Sequence, residues 1–169
     1  MKPIEEKPRL AASKILPLER AYELVDGLKQ QGKCVVFTNG CFDLVHLGHA
    51  RYLAAAKQMG DVLIVAINSD PSVQALKGPG RPIIPQDERA ETLAALEAVD
   101  YVTIFDNPTV QPVVARMLPD VLVKGAGWAP DEIVGRDEVE AAGGRVVSVG
   151  AAADVSSTDI IHAALKVHG

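Results

Sequence analysis

Short apolar runs alternate with segments of helical periodicity along most of the chain. Apolar residues at helical spacing predict an amphipathic helix over residues 18–31, which ends before Gly32. Five short apolar runs follow, at residues 34–38, 62–67, 101–105, 121–125 and 145–149. Helical patterns lie between or after them, near residues 48–59, 86–97, 108–117, 131–142 and 156–167. Strands that are apolar on both faces and alternate with helices are typical of a buried parallel sheet. The pattern therefore predicts a Rossmann-like, doubly wound α/β fold with about five parallel strands.

The chain is expected to form a single domain preceded by a short tail. Prolines and mixed charges over residues 1–16 predict a loosely ordered N-terminal tail. The predicted domain covers residues 17–169, with its core over residues 33–169 after the first helix. A chain of 169 residues with 48% hydrophobic content is large enough to bury one core.

Charge and composition narrow the classes of partner. The chain has 17 Lys and Arg against 22 Asp and Glu, a net charge of -5, and no basic run. We therefore expect no nucleic-acid partner, although a local site can still bind a small anion. No apolar stretch approaches the ~18 residues of a membrane span, and the N-terminus lacks a secretory pattern, so a cytoplasmic protein without membrane attachment is expected. The cysteines, Cys34 and Cys41, form no CxxC pair and predict neither a disulfide nor a zinc site.

The stretch TNGCFDLVHLGH, residues 38–49, follows the first predicted strand and leads into a helix near Leu47. Such a loop presents unpaired backbone N–H groups and the positive end of a helix dipole, which suit phosphate oxygens. His46 and His49 are three residues apart at the helix start, so both rings can face one side. The alternative is that one histidine caps the turn and the other is an ordinary surface residue.

Two common nucleotide-binding motifs are missing from the chain. The first turn lacks the GxGxxG fingerprint of dinucleotide-binding domains, since its glycines are Gly40 and Gly48. No GxxxxGK[ST] sequence is present either. These absences count against an NAD-dependent oxidoreductase and against an ordinary P-loop kinase or ATPase.

The stretch TNGCFDLVHLGH resembles the (T)xFDxxHxGH signature of the nucleotidyltransferase superfamily, the cytidylyltransferase-like proteins. The resemblance continues through NSD (68–70), LKGPGRPIIPQDER (76–89), AVDYVTIF (98–105), PDVLVKG (119–125) and VSSTDII (155–161). Its TNGCFD form and KGxGRPxxP segment resemble the branch that transfers AMP from ATP to D-glycero-β-D-manno-heptose 1-phosphate. The resemblance implies an enzyme that makes ADP-heptose and pyrophosphate for lipopolysaccharide core synthesis, with Mg²⁺ carried by the triphosphate rather than by the protein.

The same resemblance implies roles for particular residues. The catalytic residues are His46, His49 and Lys77, with Lys77 on a flexible segment that closes over the substrates. Nucleotide contacts are implied for Thr38, Asn39, Gly40, Cys41, Phe42, Asp43, Lys124, Gly125, Ser156, Ser157 and Thr158. Weaker substrate contacts are implied for Asp70, Arg81 and Arg89. Ordinary alternatives are a solvated loop lysine at 77, a helical salt bridge at Arg89 and an N-cap at residues 156–158.

The chain departs from its relatives in two places. Gly127 stands where the family usually has Asp in a G-x-D-[WY] pattern, and GAAADV (150–155) lacks expected acidic and aromatic residues. Two alternatives stay open: a CTP-dependent polyol-phosphate cytidylyltransferase, which the same HxGH residues would serve, and a catalytically weakened nucleotide-binding module, which Gly127 suggests. The resemblance also implies a homo-oligomer.

Overall fold

A parallel sheet of six strands forms the centre of the structure, a computed structural model that describes residues 10–125, 127–149 and 156–168. The strands are β1 (Ile15–Leu16), β2 (Val35–Gly40), β3 (Val62–Asn68), β4 (Tyr101–Phe105), β5 (Val121–Gly125) and β6 (Arg145–Val149). Their order is β1-β4-β3-β2-β5-β6, and every neighbouring pair is parallel. The predicted doubly wound α/β fold is thereby confirmed.

The order of strands reverses between β2 and β5. From β2 the chain proceeds through β3 to β4 on one side, and then returns to place β5 and β6 on the other side. Ligands of doubly wound sheets bind at the carboxyl ends of the strands next to such a reversal. The loops that follow β2 and β5 therefore border the expected ligand crevice.

Seven α-helices are present in the described residues: α1 (Leu18–Gln30), α2 (Leu47–Lys57), α3 (Asp70–Lys77), α4 (Gln86–Ala94), α5 (Gln111–Met117), α6 (Arg136–Ala141) and α7 (Ser157–His168). Helix α3 was not predicted from the sequence, because it begins with the turn-like sequence DPS. Helix α6 is shorter than predicted. Its N-cap is Gly135, with φ of 91°, and a separate 3₁₀ turn over Pro130–Glu132 precedes it.

The sheet buries apolar side chains on both faces. Val35 and Phe37 join a cluster that includes residues of α1, α5 and α6, whereas Val36 joins a second cluster that includes residues of α2 and α4. This alternation along β2 places fully buried side chains on either side of the strand. Because both faces are covered, polar chemistry is confined to the edge of the sheet where the loops emerge.

The predicted loose tail over residues 1–16 is wrong from residue 10 onward. Residues 11–14 form a 3₁₀ helix, and β1 pairs with β4 at the sheet edge. Lys14 fixes this segment by donating to the carbonyl oxygens of Leu96 (3.3 Å) and Val99 (2.9 Å). A strand of two residues is too short to produce a periodic pattern, which explains why five strands rather than six were predicted.

Across the described ranges, the structure contains no helix whose length and apolar character would let it span a bilayer.

Candidate active site

A cavity of about 1490 Å³ opens at the carboxyl edge of the sheet, beside the reversal between β2 and β5. Most of the residues predicted for the site line it: Asn39, Gly40, Cys41, Phe42, Asp43, His46, His49, Lys77, Lys124, Gly125, Ser156, Ser157 and Thr158. The predicted residues that do not line it are Thr38, Asp70, Arg81 and Arg89.

The loop between β2 and α2 forms one wall of this cavity. The backbone N–H groups of residues 41–44 make no hydrogen bond to any described residue. Phe42 holds a left-handed backbone conformation, with φ of 48°. Unpaired N–H groups that precede a helix N-terminus are suited to bind anionic oxygens. The loop therefore has the chemistry that the sequence predicted for it.

His46 begins helix α2 as its N-cap residue. Its backbone is extended, and its Nδ1 accepts a hydrogen bond of 3.2 Å from the N–H of Gly48. A neutral imidazole with Nδ1 as acceptor carries its proton on Nε2. His46 can therefore cap the helix through Nδ1 and also bind a ligand, since Nε2 remains a donor.

His49 lies in the first turn of α2, is half-buried, and contacts two aromatic rings. Its ring centroid is 3.9 Å from that of His46 and 5.0 Å from that of Phe42. Burial, followed by the nearby His46 and Lys77, lowers the pKa of His49 to about 4, although the Leu44 carbonyl opposes this shift. Its Nδ1 is buried and forms no well-aligned hydrogen bond with the described residues. His49 is therefore a neutral imidazole at neutral pH, with unused hydrogen-bonding capacity.

Asp43 fastens the segment after α3 to this loop. Its Oδ1 accepts from the N–H groups of Ile83 (2.7 Å) and Ile84 (3.1 Å), and its Oδ2 accepts from Arg81 Nε (2.6 Å). Burial alone would raise the pKa of Asp43, but these donors hold it below its ordinary value. Asp43 and Arg81 therefore form an internal clamp through Arg81 Nε. Because Arg81 Nη2 is buried without a hydrogen-bond partner among the described residues, the substrate contact of Arg81 stays a prediction.

Arg89 is the largest fully buried side chain of the described structure. Its guanidinium donates to the carbonyl oxygens of Cys41, Asn68 and Ile84, and to the carboxylate of Asp70 at 2.7 Å. The predicted substrate contact of Arg89 is wrong, because all of its nitrogens are occupied and its side chain is 0% exposed. Asp70, predicted beside it, is likewise engaged as the partner of a buried cation.

Lys77 is the last residue of α3, and its exposed side chain makes no hydrogen bond or ion pair with a described residue. Gly78 and Gly80 follow with φ of 92° and 86°, which only glycine adopts easily. The sequence predicted a flexible segment around Lys77. That segment can extend only to residue 80, because Asp43 hydrogen-bonds to the chain within residues 81–84. Only residues 78–80 lie between the helix and this clamp.

Lys124, near the end of β5, reaches across the reversal to β2. Its Nζ donates to Asn39 Oδ1 at 2.5 Å and to the Asn39 carbonyl at 3.3 Å, and it lies 5.9 Å from the ring centroid of Trp128. Burial lowers the pKa of Lys124 to about 8. The lysine and the exposed Trp128 ring together give the cavity a cationic and an aromatic surface at the end of β5.

Thr38 is placed differently from its prediction. It is fully buried, and its hydroxyl hydrogen-bonds to the hydroxyl of Tyr52, which donates to the Val123 carbonyl at 3.0 Å. Thr38 therefore ties β2 to α2 and β5 instead of contacting a nucleotide. Burial raises the pKa of Tyr52, so this phenol stays protonated.

The three hydroxyl residues at the start of α7 have different environments. Ser156 forms a reciprocal cap with Asp159, whose N–H donates to Ser156 Oγ at 3.2 Å while its carboxylate accepts from the Ser156 N–H at 2.8 Å. The Ser157 hydroxyl donates to the Leu44 carbonyl at 3.0 Å and joins α7 to the first loop. Thr158 is exposed and has no partner among the described residues. The N-cap alternative is confirmed for Ser156, and Thr158 is the hydroxyl that remains available.

Several residues that line the cavity were not assigned from the sequence. Among them are Arg51, Tyr52, Asn68, Phe105, Thr109 and Glu132. Asn68 and Phe105 end strands β3 and β4, so their position at the carboxyl edge was a usable signal. Arg51 is exposed and has no described partner, but it lies only two positions after His49, where helical periodicity gives no indication of a shared site.

Two predictions concern the region after β5. Gly127 has φ of 104°, and a Cβ built there would meet nothing within 4 Å, so strain rather than lack of space would oppose an aspartate in this conformation. Residue 126 and the GAAADV segment (150–155) lie outside the described residues.

The described side chains form no cluster of metal ligands. Within residues 10–125, 127–149 and 156–168, no three His, Cys, Asp or Glu side chains are grouped closely enough to hold a metal ion. Burial raises the pKa of the Cys41 thiol, so this cysteine is not a ready thiolate ligand.

A doubly wound sheet with an HxGH helix start at its reversal point defines a nucleotidyltransferase-type domain. The family described as cytidylyltransferase-like matches residues 37–163, and the chain belongs to this family. The match covers β2 through most of α7 and includes both histidines.

The chain is also similar to proteins named bifunctional protein HldE. It is 47% identical over 157 residues to the one from Geobacter metallireducens, covering 93% of this chain and 32% of the relative. It is 46% identical over 149 residues to the one from Syntrophotalea carbinolica, covering 88% of this chain and 30% of the relative. The chain thus spans about a third of the length of these curated relatives.

Two solved structures share the fold. The lipopolysaccharide core biosynthesis protein from Thermoplasma volcanium matches with a TM-score of 0.61 and 26% identity, covering 72% of this chain and 99% of that one. The pantoate-beta-alanine ligase from Francisella tularensis, solved with beta-gamma ATP and beta-alanine, matches with a TM-score of 0.59, covering 88% of this chain and 76% of that one. At 16% identity, the second similarity concerns the fold alone.

Proposed function

We propose that the chain transfers AMP from ATP to D-glycero-β-D-manno-heptose 1-phosphate, giving ADP-heptose and pyrophosphate. One observation carries this proposal: His46, His49 and the unpaired N–H groups of residues 41–44 form one wall of a large cavity at the sheet reversal. The TNGCFD and KGPGRPIIP segments support the heptose branch within the family, as does the similarity to the HldE proteins.

The reaction places its main demand on alignment and charge. A phosphate oxygen of the sugar phosphate attacks the α-phosphorus of ATP, forming a new P–O bond as the bond to pyrophosphate breaks in line. A phosphate monoester has a second pKa of about 6, so the nucleophile is ionised near neutrality and needs no general base. The protein must hold two anions together and stabilise charge on the α-phosphate and the leaving pyrophosphate.

The first loop and α2 supply the central donors for this task. We assign His49 to the α-phosphate as a neutral, preorganised N–H donor, because its pKa of about 4 leaves it uncharged before ATP binds. His46 contributes its Nε2 proton to the triphosphate from the N-cap position. The N–H groups of residues 41–44 and the dipole of α2 bind further phosphate oxygens.

Side chains around the rim complete the site. Lys77 brings a mobile cation to the reacting phosphates, and Arg51 adds a second exposed cation that lines the same cavity. Thr158 and the N-terminus of α7 are assigned to the leaving pyrophosphate. Lys124 and Trp128, beyond the end of β5, are assigned to the ribose and base.

Mg²⁺ enters this scheme as part of the substrate MgATP. Among the polar side chains that line the cavity, cations, imidazoles and hydroxyls outnumber the carboxylates of Asp43 and Glu132. Such groups suit phosphate oxygens better than a bare metal ion. The product would feed heptose incorporation into a lipopolysaccharide core. From the family resemblance we further propose a cytoplasmic homo-oligomer. Light scattering on the purified chain tests the oligomeric state.

Pyrophosphate release with a panel of nucleotides and acceptors tests the function. We expect ATP with heptose 1-phosphate to exceed CTP or GTP by at least about tenfold in kcat/KM, or ~1.4 kcal/mol. His49→Ala in the same assay controls for a contaminating enzyme. Efficient turnover of CTP with glycerol phosphate would instead establish the cytidylyltransferase alternative, and tight ATP binding without turnover would establish the weakened binding module.

A further inference from the structure

Phe42 holds a backbone conformation that its side chain does not favour. Its φ of 48° lies in the left-handed region, and Leu118 is the only other non-glycine residue with positive φ in the described structure. Such a conformation costs free energy and persists only where the surrounding structure enforces it, most often near a functional site. A glycine at position 42 would adopt this conformation without strain. The presence of a phenyl ring there therefore needs an explanation.

The ring of Phe42 is held between the backbone of β2 and the helix α2. Phe42 is only 6% exposed and belongs to the cluster on the α2 face of the sheet. A Cβ added at Gly40 would lie 3.0 Å from Cε2 of this ring, so the ring packs directly on the glycine backbone. On α2, the ring is tilted by 55° against the imidazole of His49, with 5.0 Å between centroids.

We propose that Phe42 is a positioning residue, whose ring fixes the orientation of the His49 imidazole and keeps water away from it. The left-handed backbone of Phe42 and the bare Cα of Gly40 are the features that place the ring. The proposal rests on the proposed function, since it is there that His49 is assigned to the α-phosphate. It extends that function by explaining how a histidine beside the open cavity is kept half-buried.

The electrostatics of His49 agree with this geometry. Burial is the largest cause of its lowered pKa, ahead of the charges of His46 on α2 and Lys77 on α3. Removing the ring admits water to the imidazole and favours its charged form, while the neighbouring His46 and Lys77 stay in place. The pKa of His49 should then rise toward the ordinary value of about 6.5.

An NMR titration of the four histidines tests the proposal without requiring catalysis. The His49 signal is assigned with His49→Asn, and its pKa is measured in wild type, Phe42→Leu, Phe42→Ala and the control Leu93→Ala. Leu93 belongs to the same apolar cluster but lies on α4 and does not line the cavity. We expect the His49 pKa to rise by at least about one unit in Phe42→Ala, by less in Phe42→Leu, and not at all in Leu93→Ala.

The outcomes of this titration test the role of Phe42 independently of whether the chain transfers AMP. A folded Phe42 variant with an unchanged His49 pKa would overturn it, and so would an equal rise in Leu93→Ala, which would indicate general loosening. If Phe42→Ala does not fold, Phe42→Leu alone decides, because it retains an apolar side chain but removes the ring. A chain that never turns over ATP can still give the expected titration, so the two failures are distinguishable.

Discussion

His46 and His49 are three residues apart, yet their surroundings give them different properties. His46 uses Nδ1 to cap α2, which fixes the position of its other nitrogen. His49 contacts the rings of Phe42 and His46 and has a pKa of about 4. In the proposed reaction the first histidine combines structure with binding, whereas the second is reserved for the charge that develops on the reacting phosphate.

The pH dependence of stability provides a test of the His49 environment. The folded chain holds His49 at a pKa near 4, while an unfolded histidine titrates near 6.5. As the pH falls between these values, the unfolded chain takes up a proton that the folded chain does not, so stability is lost. Thermal melts should therefore show a smaller loss of Tm between about pH 6.5 and pH 4 for His49→Asn than for wild type. Parallel pH curves for the two proteins would contradict the buried, neutral imidazole.

For individual residues, the sequence predicted which residues lie at the site more reliably than it predicted the contacts that they make. The HxGH spacing was sufficient to place both histidines at a helix start. It was not sufficient to show that Thr38 is buried against Tyr52, or that Arg89 binds three backbone carbonyls. Those contacts depend on which elements are neighbours in space, and local periodicity carries no such information.

Among the elements, α3 and the segment after it connect the two sides of the cavity. Asp70 begins α3 beside the buried Arg89, and Lys77 ends it at the rim. Asp43 then fixes residues 81–84. Only residues 78–80 therefore lie between α3 and the clamp, and both ends of this short segment are anchored.

Replacing Lys77 tests whether this short segment acts during turnover. If its ammonium reaches the phosphates mainly in the closed state, Lys77→Ala should lower kcat by at least about tenfold, or ~1.4 kcal/mol, with a smaller effect on ATP affinity. Steady-state kinetics and calorimetry with ATP alone separate the two effects. Lys33→Ala, at an exposed lysine after α1, provides the control. An unchanged kcat in Lys77→Ala would make this lysine a bystander.

Asp43→Ala tests the clamp itself. The Asp43 carboxylate is 1% exposed and its partner Arg81 is 15% exposed, so removing the carboxylate leaves a largely buried cation unpaired. We expect a loss of about 2–4 kcal/mol in the free energy of unfolding and faster hydrogen exchange at the amides of Ile83 and Ile84. The control Asp26→Ala breaks an ion pair with Arg116 that is about half exposed, and should cost less than ~1 kcal/mol. Equal costs for the two variants would show that Asp43 is not a clamp.

The elements that were predicted well are those with long periodic patterns. The five main strands were placed to within two residues at either end, because continuous apolar runs mark strands buried on both faces. Strand β1 was missed because two residues leave no periodic signal, and helix α3 was missed because it begins with the turn-like sequence DPS. The tight turns around α3 were interpreted as loop because glycine and proline dominate that stretch.

For the molecule as a whole, the order of the strands determines where chemistry can occur. The reversal between β2 and β5 brings Asn39 and Lys124 into contact, although they are 85 residues apart in sequence. The existence of a reversal followed from the doubly wound pattern, but its position did not. Strand order is a property of long-range pairing, so only the structure places the N-terminal ends of α2 and α7 beside the same cavity.

We propose that the residues of the HxGH wall catalyse transfer of a nucleotidyl group. The kinetics of His49→Ala test this proposal most directly. Pyrophosphate release from ATP and heptose 1-phosphate should be measured for wild type and His49→Ala, with matched thermal melts. If His49 acts mainly in the transition state, kcat should fall by roughly 10² to 10³, or ~3 to 4 kcal/mol, with little change in the KM for ATP. A folded His49→Ala variant that keeps a kcat close to that of wild type would contradict the account.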